Sequence, residues 1–122
     1  MGFDLFCVGN VVADVVVRPV HRVPSPGAIE LVESVTIVPG GNAVNVAVAA
    51  ARLGLSVCVA GAIGKDPLGD MIRSALVRQG VQETNLVALD GVGTAVTVAL
   101  VGRGGERGFL HMLGANAVFS PS

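Results

Sequence analysis

Residues 55–63, LSVCVAGAI, are an uncharged, mostly apolar run set between two helix signals. Before it, Gly54 follows NAVNVAVAAARL in the place of a left-handed residue that ends a helix. After it, Asp66 and Pro67 form a cap and first-turn pair for a second helix, over 67–79, that Gly80 stops. An apolar run of strand length between helices fits a parallel strand covered on both faces. The pattern predicts an α/β protein with a Rossmann-like, three-layer parallel sheet.

The rest of the chain adds strands of another kind. FDLFCVG (3–9) reads as a buried strand, 13–18 (ADVVVR) as a second, and 29–38 as a third after the Pro-rich loop VPSPG. Helix 42–53 precedes the apolar run, and a short strand is expected at 85–89. Residues 94–112 read as a hairpin, TAVTVALV and FLHML around the turn GRGGERG. The strand pair (13–18, 29–38) and the hairpin do not fit strand–helix alternation. They predict a small β-sheet projecting from an α/β core over 3–9 and 42–89.

Composition narrows the function. Charges of both signs are scattered, the net charge is −1, and there is no basic run, so no nucleic-acid partner is expected. The longest uncharged stretch, 34–51, contains Pro39, Gly40, Gly41, Asn42 and Asn45, which argues against a membrane span. MGFDLFCVGN lacks a cationic start and carries Asp4, so a cytoplasmic location is expected. Cys7 and Cys58 sit in apolar runs and read as small buried hydrophobes, with no metal site.

The chemistry concentrates in PGGNAVN, 39–45. Glycines let a ligand approach the backbone, and a helix start offers unpaired N–H groups. Asn42 and Asn45, three apart, would share a face there, and each carboxamide both donates and accepts. That suits a polyhydroxylated ligand. The competing reading makes Asn42 an N-cap and Asn45 a satisfied buried amide. Asp14, in GNVVAD, could accept from two neighbouring hydroxyls or stand as a solvated strand residue. Gly61 and Gly64 could form a phosphate nest, but no Gly-rich Lys-Ser/Thr loop is present. His21, His111, Arg52, Arg73 and Arg78 read as surface groups, His111 alternatively lining the inner face of the small sheet. Asp66 reads as a cap.

The run from Gly40 and Gly41 through Asn45, Ala47 and Gly54 to Gly64 resembles the N-terminal signature of the ribokinase-like (PfkB) carbohydrate kinase family. GNVVAD, GAIGKDPLGDMI and the hairpin with its following GAN also match that family's pattern. The resemblance implies that residues 1–122 are the substrate-binding N-terminal part of a ribokinase-like domain, with the small sheet as a lid. It implies that Asp14, Gly40, Gly41, Asn42 and Asn45 hold a sugar or related polyol. Val12 and Asn42 stand where ribokinase carries asparagine and lysine, which leaves the substrate open among another sugar, a sugar acid and a nucleoside. The family's catalytic aspartate lies in a D-T-x-G-A-G-D motif that does not occur here. ATP and Mg2+ are therefore expected only in a full-length enzyme, with no catalytic, cofactor or metal residue in this truncated and inactive chain. The alternatives are a non-catalytic binding module, an oligomerising fragment that dimerises through the lid or a sheet edge, and an unrelated nucleotide-binding domain using Gly64.

Overall fold

A computed structural model describes residues 2–120; Met1 and the last two residues of the FSPS tail lie outside the described residues. The chain runs β1 (Leu5–Val8), β2 (Val12–Arg18), β3 (Ser34–Gly40), α1 (Asn42–Arg52), β4 (Val57–Gly64), α2 (Pro67–Arg78), β5 (Gln82–Leu89), β6 (Val96–Val101), β7 (Arg107–Met112) and a 3-10 turn at Gly114–Val118. Two sheets result. One is parallel, in the order β1-β4-β5. The other has the order β3-β2-β6-β7, in which only β2 and β6 run parallel. The protein is α/β, with a three-stranded parallel sheet and a second, four-stranded mixed sheet beside it, so the sheet expected to be the small one has the more strands.

β4 is the centre of the parallel sheet, and all eight of its residues are buried. That explains its lack of charge: a polar side chain there would have no water and no partner. α1 lays Ala43, Val44, Ala47 and Ala50 onto the sheet, and α2 adds Ile72, Ala75 and Leu76. All of these but Ala75 pack with Cys7, Val57, Val59, Ile63 and Leu86 into one core. The small side chains of α1 let its backbone approach β1 and β4 closely. Gly54 and Gly80 both take positive φ and end their helices as expected. On the sheet's other face stand Phe6 and Val8, 51% and 47% exposed.

β3 starts at Ser34, not at 29, because residues 29–33 leave the sheet. Ile29 and Leu31 are solvent-exposed, and Glu30 pairs with Arg22. At its other end β3 runs through Pro39 to Gly40, pairing with Ala13 and Val12. Proline is tolerated because β3 is an edge strand. The diglycine is therefore the end of a lid strand as much as the entrance to a helix.

The two sheets are fastened at defined points. Thr94, 1% exposed, bonds to Asp66 and Gly64 at the top of β4 and α2. The Asn116 side chain accepts from the Val11 N–H at 3.2 Å and donates to the Val11 carbonyl at 3.0 Å. This two-way pair copies a strand ladder and ties the chain after β7 to the β1–β2 connection.

Candidate substrate site

Alternation along the four-stranded sheet sorts its side chains. Ala13 and Val96, neighbours in register, join the core beneath. One residue on, Asp14 is level with Val38 of β3, with Thr97 of β6, and through Thr97 with His111 of β7. Residues level across strands share a face. Asp14, Thr97 and His111 therefore form a polar row on the lid face turned away from the core.

Asp14 and the diglycine meet directly. A Cβ on Gly40 would lie 2.0 Å from the Asp14 Oδ2, so only glycine leaves the carboxylate room. Gly41 is constrained differently: its φ is +94°, and a Cβ would stand 2.2 Å from the Asn10 carbonyl oxygen. Gly41 is thus fixed by the protein's own backbone, whereas a side chain at Gly40 would have to displace the Asp14 carboxylate from its place beside the start of α1. Burial pushes the Asp14 carboxyl above the usual carboxylate range, and attraction to His111 partly offsets this.

The helix start differs from the competing reading. Gly41, not Asn42, is the N-cap, and no side chain caps the helix. Asn42 and Asn45 are both exposed, and neither carboxamide has a partner among the described residues. The two do not line one hollow. Asn42 sits with Cys7, Val8 and Val46, while Asn45 lines the groove between α1 and α2 with Pro39 and Met71. Three residues along a helix leave the side chains only about 60° apart, so the two hollows lie side by side at the first turn and are lined by different neighbours. Asp14 lines neither hollow. The structure brings together Asp14 and Gly40, and links Gly41 to Asn45 through the bond from the Asn45 N–H to the Gly41 carbonyl at 2.9 Å.

Other residues resolve plainly. The Gly64 N–H donates to the Thr94 hydroxyl at 3.0 Å, and Asp66 takes the Gly69 N–H at 2.8 Å as an N-cap. The N–H groups that a phosphate nest would need there are already engaged. Cys7 and Cys58 are free and buried. Arg73 is not a plain surface charge: it pairs with Glu83 and donates to the Leu86 carbonyl at 2.9 Å, clamping α2 to β5. Among the described residues no group of three or more His, Cys, Asp or Glu could hold a metal ion.

A sheet lid with a carboxylate beside a Gly-Gly helix entrance can be compared with known proteins. Residues 3–122 match the family described as pfkB family carbohydrate kinase. The chain belongs to the pfkB family. Among pfkB-family relatives, the ribokinase of Haemophilus influenzae is 30% identical over 116 residues, 95% of this chain and 38% of that protein. Fructokinase-1 of Oryza sativa subsp. japonica is 36% identical over 90 residues, 72% of this chain and 28% of that protein. The structure of Arabidopsis thaliana ribokinase complexed with ribose and ATP superposes with a TM-score of 0.85 at 26% identity, covering 95% of this chain and 38% of that one. The chain thus spans well under half the length of the pfkB relatives it matches.

Sequence reading missed two contributors to this geometry and left a third undecided. Thr97 gave no signal beyond its place in an alternating strand, and Asn116 none beyond the GAN pattern. His111 was visible, but its alignment with Asp14 depends on the register of two strand pairings, β2–β6 and β6–β7.

Proposed function

We propose that this chain is the substrate-binding and lid-bearing part of an ATP-dependent kinase that phosphorylates a hydroxyl of a sugar or nucleoside. In this reading residues 1–122 form the N-terminal part of a ribokinase-like domain in the cytoplasm. The observation that carries it is the Asp14 carboxylate fitted against Gly40 at the foot of α1, a helix whose Asn42 and Asn45 carboxamides no protein group among the described residues satisfies. A carboxylate held there accepts bonds from two adjacent hydroxyls, and charge-assisted bonds of that kind are the strong ones. Gly40 and Gly41 shape the floor, and Asn42 and Asn45 supply mixed donors and acceptors from the first turn of the helix. The relative solved with ribose and ATP supports the ligand class.

Phosphoryl transfer depends mainly on positioning and charge stabilisation. This chain's residues bind and orient the polyol and screen it from water. The Gly64 and Gly69 N–H groups are engaged by Thr94 and Asp66, and among the described residues no group of three or more His, Cys, Asp or Glu could hold a metal ion. This supports reading the base and the nucleotide site as lying outside these residues, with the chain alone inactive. Titration calorimetry with D-ribose, D-fructose, adenosine and ATP tests this. Binding of at least one polyol, abolished by Asp14→Asn, with no heat from ATP, supports the reading; ATP binding without polyol binding contradicts it.

A second reading, an oligomerising fragment, is favoured by β7. It is an edge strand, with Phe109 and Leu110 61% and 63% exposed. Sedimentation that shows a dimer, with no polyol binding, would support that reading instead.

A further inference from the structure

We infer that the groove between α1 and α2 is a second ligand site, one that takes an anionic amphiphile: an alkyl body ending in a carboxylate or a phosphate. The groove encloses about 550 Å³, a volume usual for small-molecule sites. It runs along α1 from Asn45 to Arg52, a length of about 10 Å at the rise of a helix. Val38, Val48, Met71 and Ala75 line its middle, and Arg52, Arg78 and Gln79 line its end. Among the described residues no acidic side chain lines it, and neither does Asp14. The inference therefore goes beyond the polyol site and does not depend on it.

Both arginines sit in the last turns of their helices. Cations gather at such ends because the final carbonyls are unpaired and the helix terminus is negative. Neither guanidinium is spent on those carbonyls. The Arg52 Nε donates to the Gln79 Oε1 at 3.2 Å. The two terminal nitrogens of Arg52, and the whole Arg78 guanidinium, have no partner among the described residues. The Arg52–Gln79 bond also ties the end of α1 to the end of α2, so both cations stand at the same end of the groove. A guanidinium grips a carboxylate or a phosphate through two parallel bonds. The walls leading to that end are aliphatic, with no aromatic ring among the lining residues. They suit a flexible chain, and Met71 is the side chain that adapts most readily to one. Val38 is 46% exposed, so a ligand lying there covers apolar surface that the protein itself leaves open.

The test uses the full chain with octanoate and octyl phosphate as probes. Acetate and inorganic phosphate are the head-only controls, and octanol is the uncharged one. Calorimetry reads affinity, and the arginine Nε–H NMR signals read position, with Arg22, paired to Glu30 in the loop, as the internal reference. At least one probe should bind about 10-fold or more tightly than its head-only control, because burial of the tail adds to the ionic contact. It should shift the Arg52 and Arg78 signals and leave Arg22 unmoved. Arg52→Gln and Arg78→Gln should each weaken it about 5- to 10-fold, with polyol binding unchanged. Ala49 is an exposed residue lining the groove. Ala49→Glu keeps a good helix former and sets a carboxylate against the anionic head, so it should abolish probe binding in a chain whose circular dichroism is unchanged. Octyl phosphate as the tighter probe assigns a phosphate head, and octanoate a carboxylate. Three results overturn the inference: no binding of either probe, binding matched by the head-only control or by octanol, and affinity unchanged in the two arginine variants.

Discussion

Thr94 donates to the Asp66 carboxylate twice, from its backbone N–H at 2.8 Å and from its hydroxyl at 2.6 Å. The same hydroxyl accepts the Gly64 N–H. One buried side chain thus joins the end of β4, the cap of α2 and the entry to β6, where the lid sheet leaves the core.

Replacing Thr94 by valine keeps the shape but strands a buried N–H and removes a partner of Asp66. A loss of about 1–3 kcal/mol of unfolding free energy is expected, as for other unsatisfied buried groups. Urea unfolding monitored by far-UV circular dichroism measures it; an unchanged midpoint would mean that the knot contributes nothing.

The two aspartates respond to pH with opposite sign. Burial opposes ionisation of Asp66, but the bonds from Thr94 and Gly69 outweigh it and hold the carboxyl below the usual range. A depressed carboxyl adds stability that is complete above its unfolded value, about 4, and disappears as pH falls through the folded one. Asp66→Asn should therefore flatten the acid limb of the stability profile. Asp14 is raised, so its ionisation costs stability as pH climbs from about 4 to its folded value, and the cost persists above. Asp14→Asn should raise the Tm at pH 7 while removing polyol binding. A lower Tm in that variant would contradict the account of burial at this carboxylate.

Gly40 and Gly41 separate in a double-mutant cycle. The three atoms nearest an added Cβ on Gly40 all belong to the Asp14 side chain, whereas Gly41 faces the Asn10 backbone. Gly40→Ala should be much less destabilising in an Asp14→Ala background, with a coupling of about 0.5–3 kcal/mol. Gly41→Ala should be equally harmful in both backgrounds, because no side-chain deletion relieves a backbone clash at positive φ. Equal coupling for the two glycines would refute the distinction.

Asn116→Ala removes both bonds to Val11 and should loosen the anchor between the end of the lid hairpin and the β1–β2 connection. Hydrogen exchange at the Val11 amide should speed up by about 5- to 13-fold if a bond worth about 1–1.5 kcal/mol is lost there. An unchanged rate would show that the amide is protected by something else.

Local chemistry made much of the fold legible. Asp66, Pro67, Gly54 and Gly80 mark helix ends because caps and left-handed residues act within one turn. The wholly buried β4 announces itself by having no polar residue. What depends on register stayed hidden. The shift of β3 to end at Gly40 follows from its pairing with Val12, and Arg73 becomes a clamp only because β5 places Glu83 and Leu86 beside it. The site was half visible. PGGN marked the helix entrance, but that Asp14 fills the space above Gly40, and that Asn42 and Asn45 line different hollows, requires the sheet and helix in place.

The most direct test is backbone amide shift mapping of the chain during titration with D-ribose and D-fructose. The account predicts that perturbations cluster at residues 12–14, 40–45 and 97, with Asp14→Asn erasing them. Perturbations confined to the groove between α1 and α2, or to none of these residues while a sugar binds elsewhere, would contradict a polyol site built on Asp14 and Gly40.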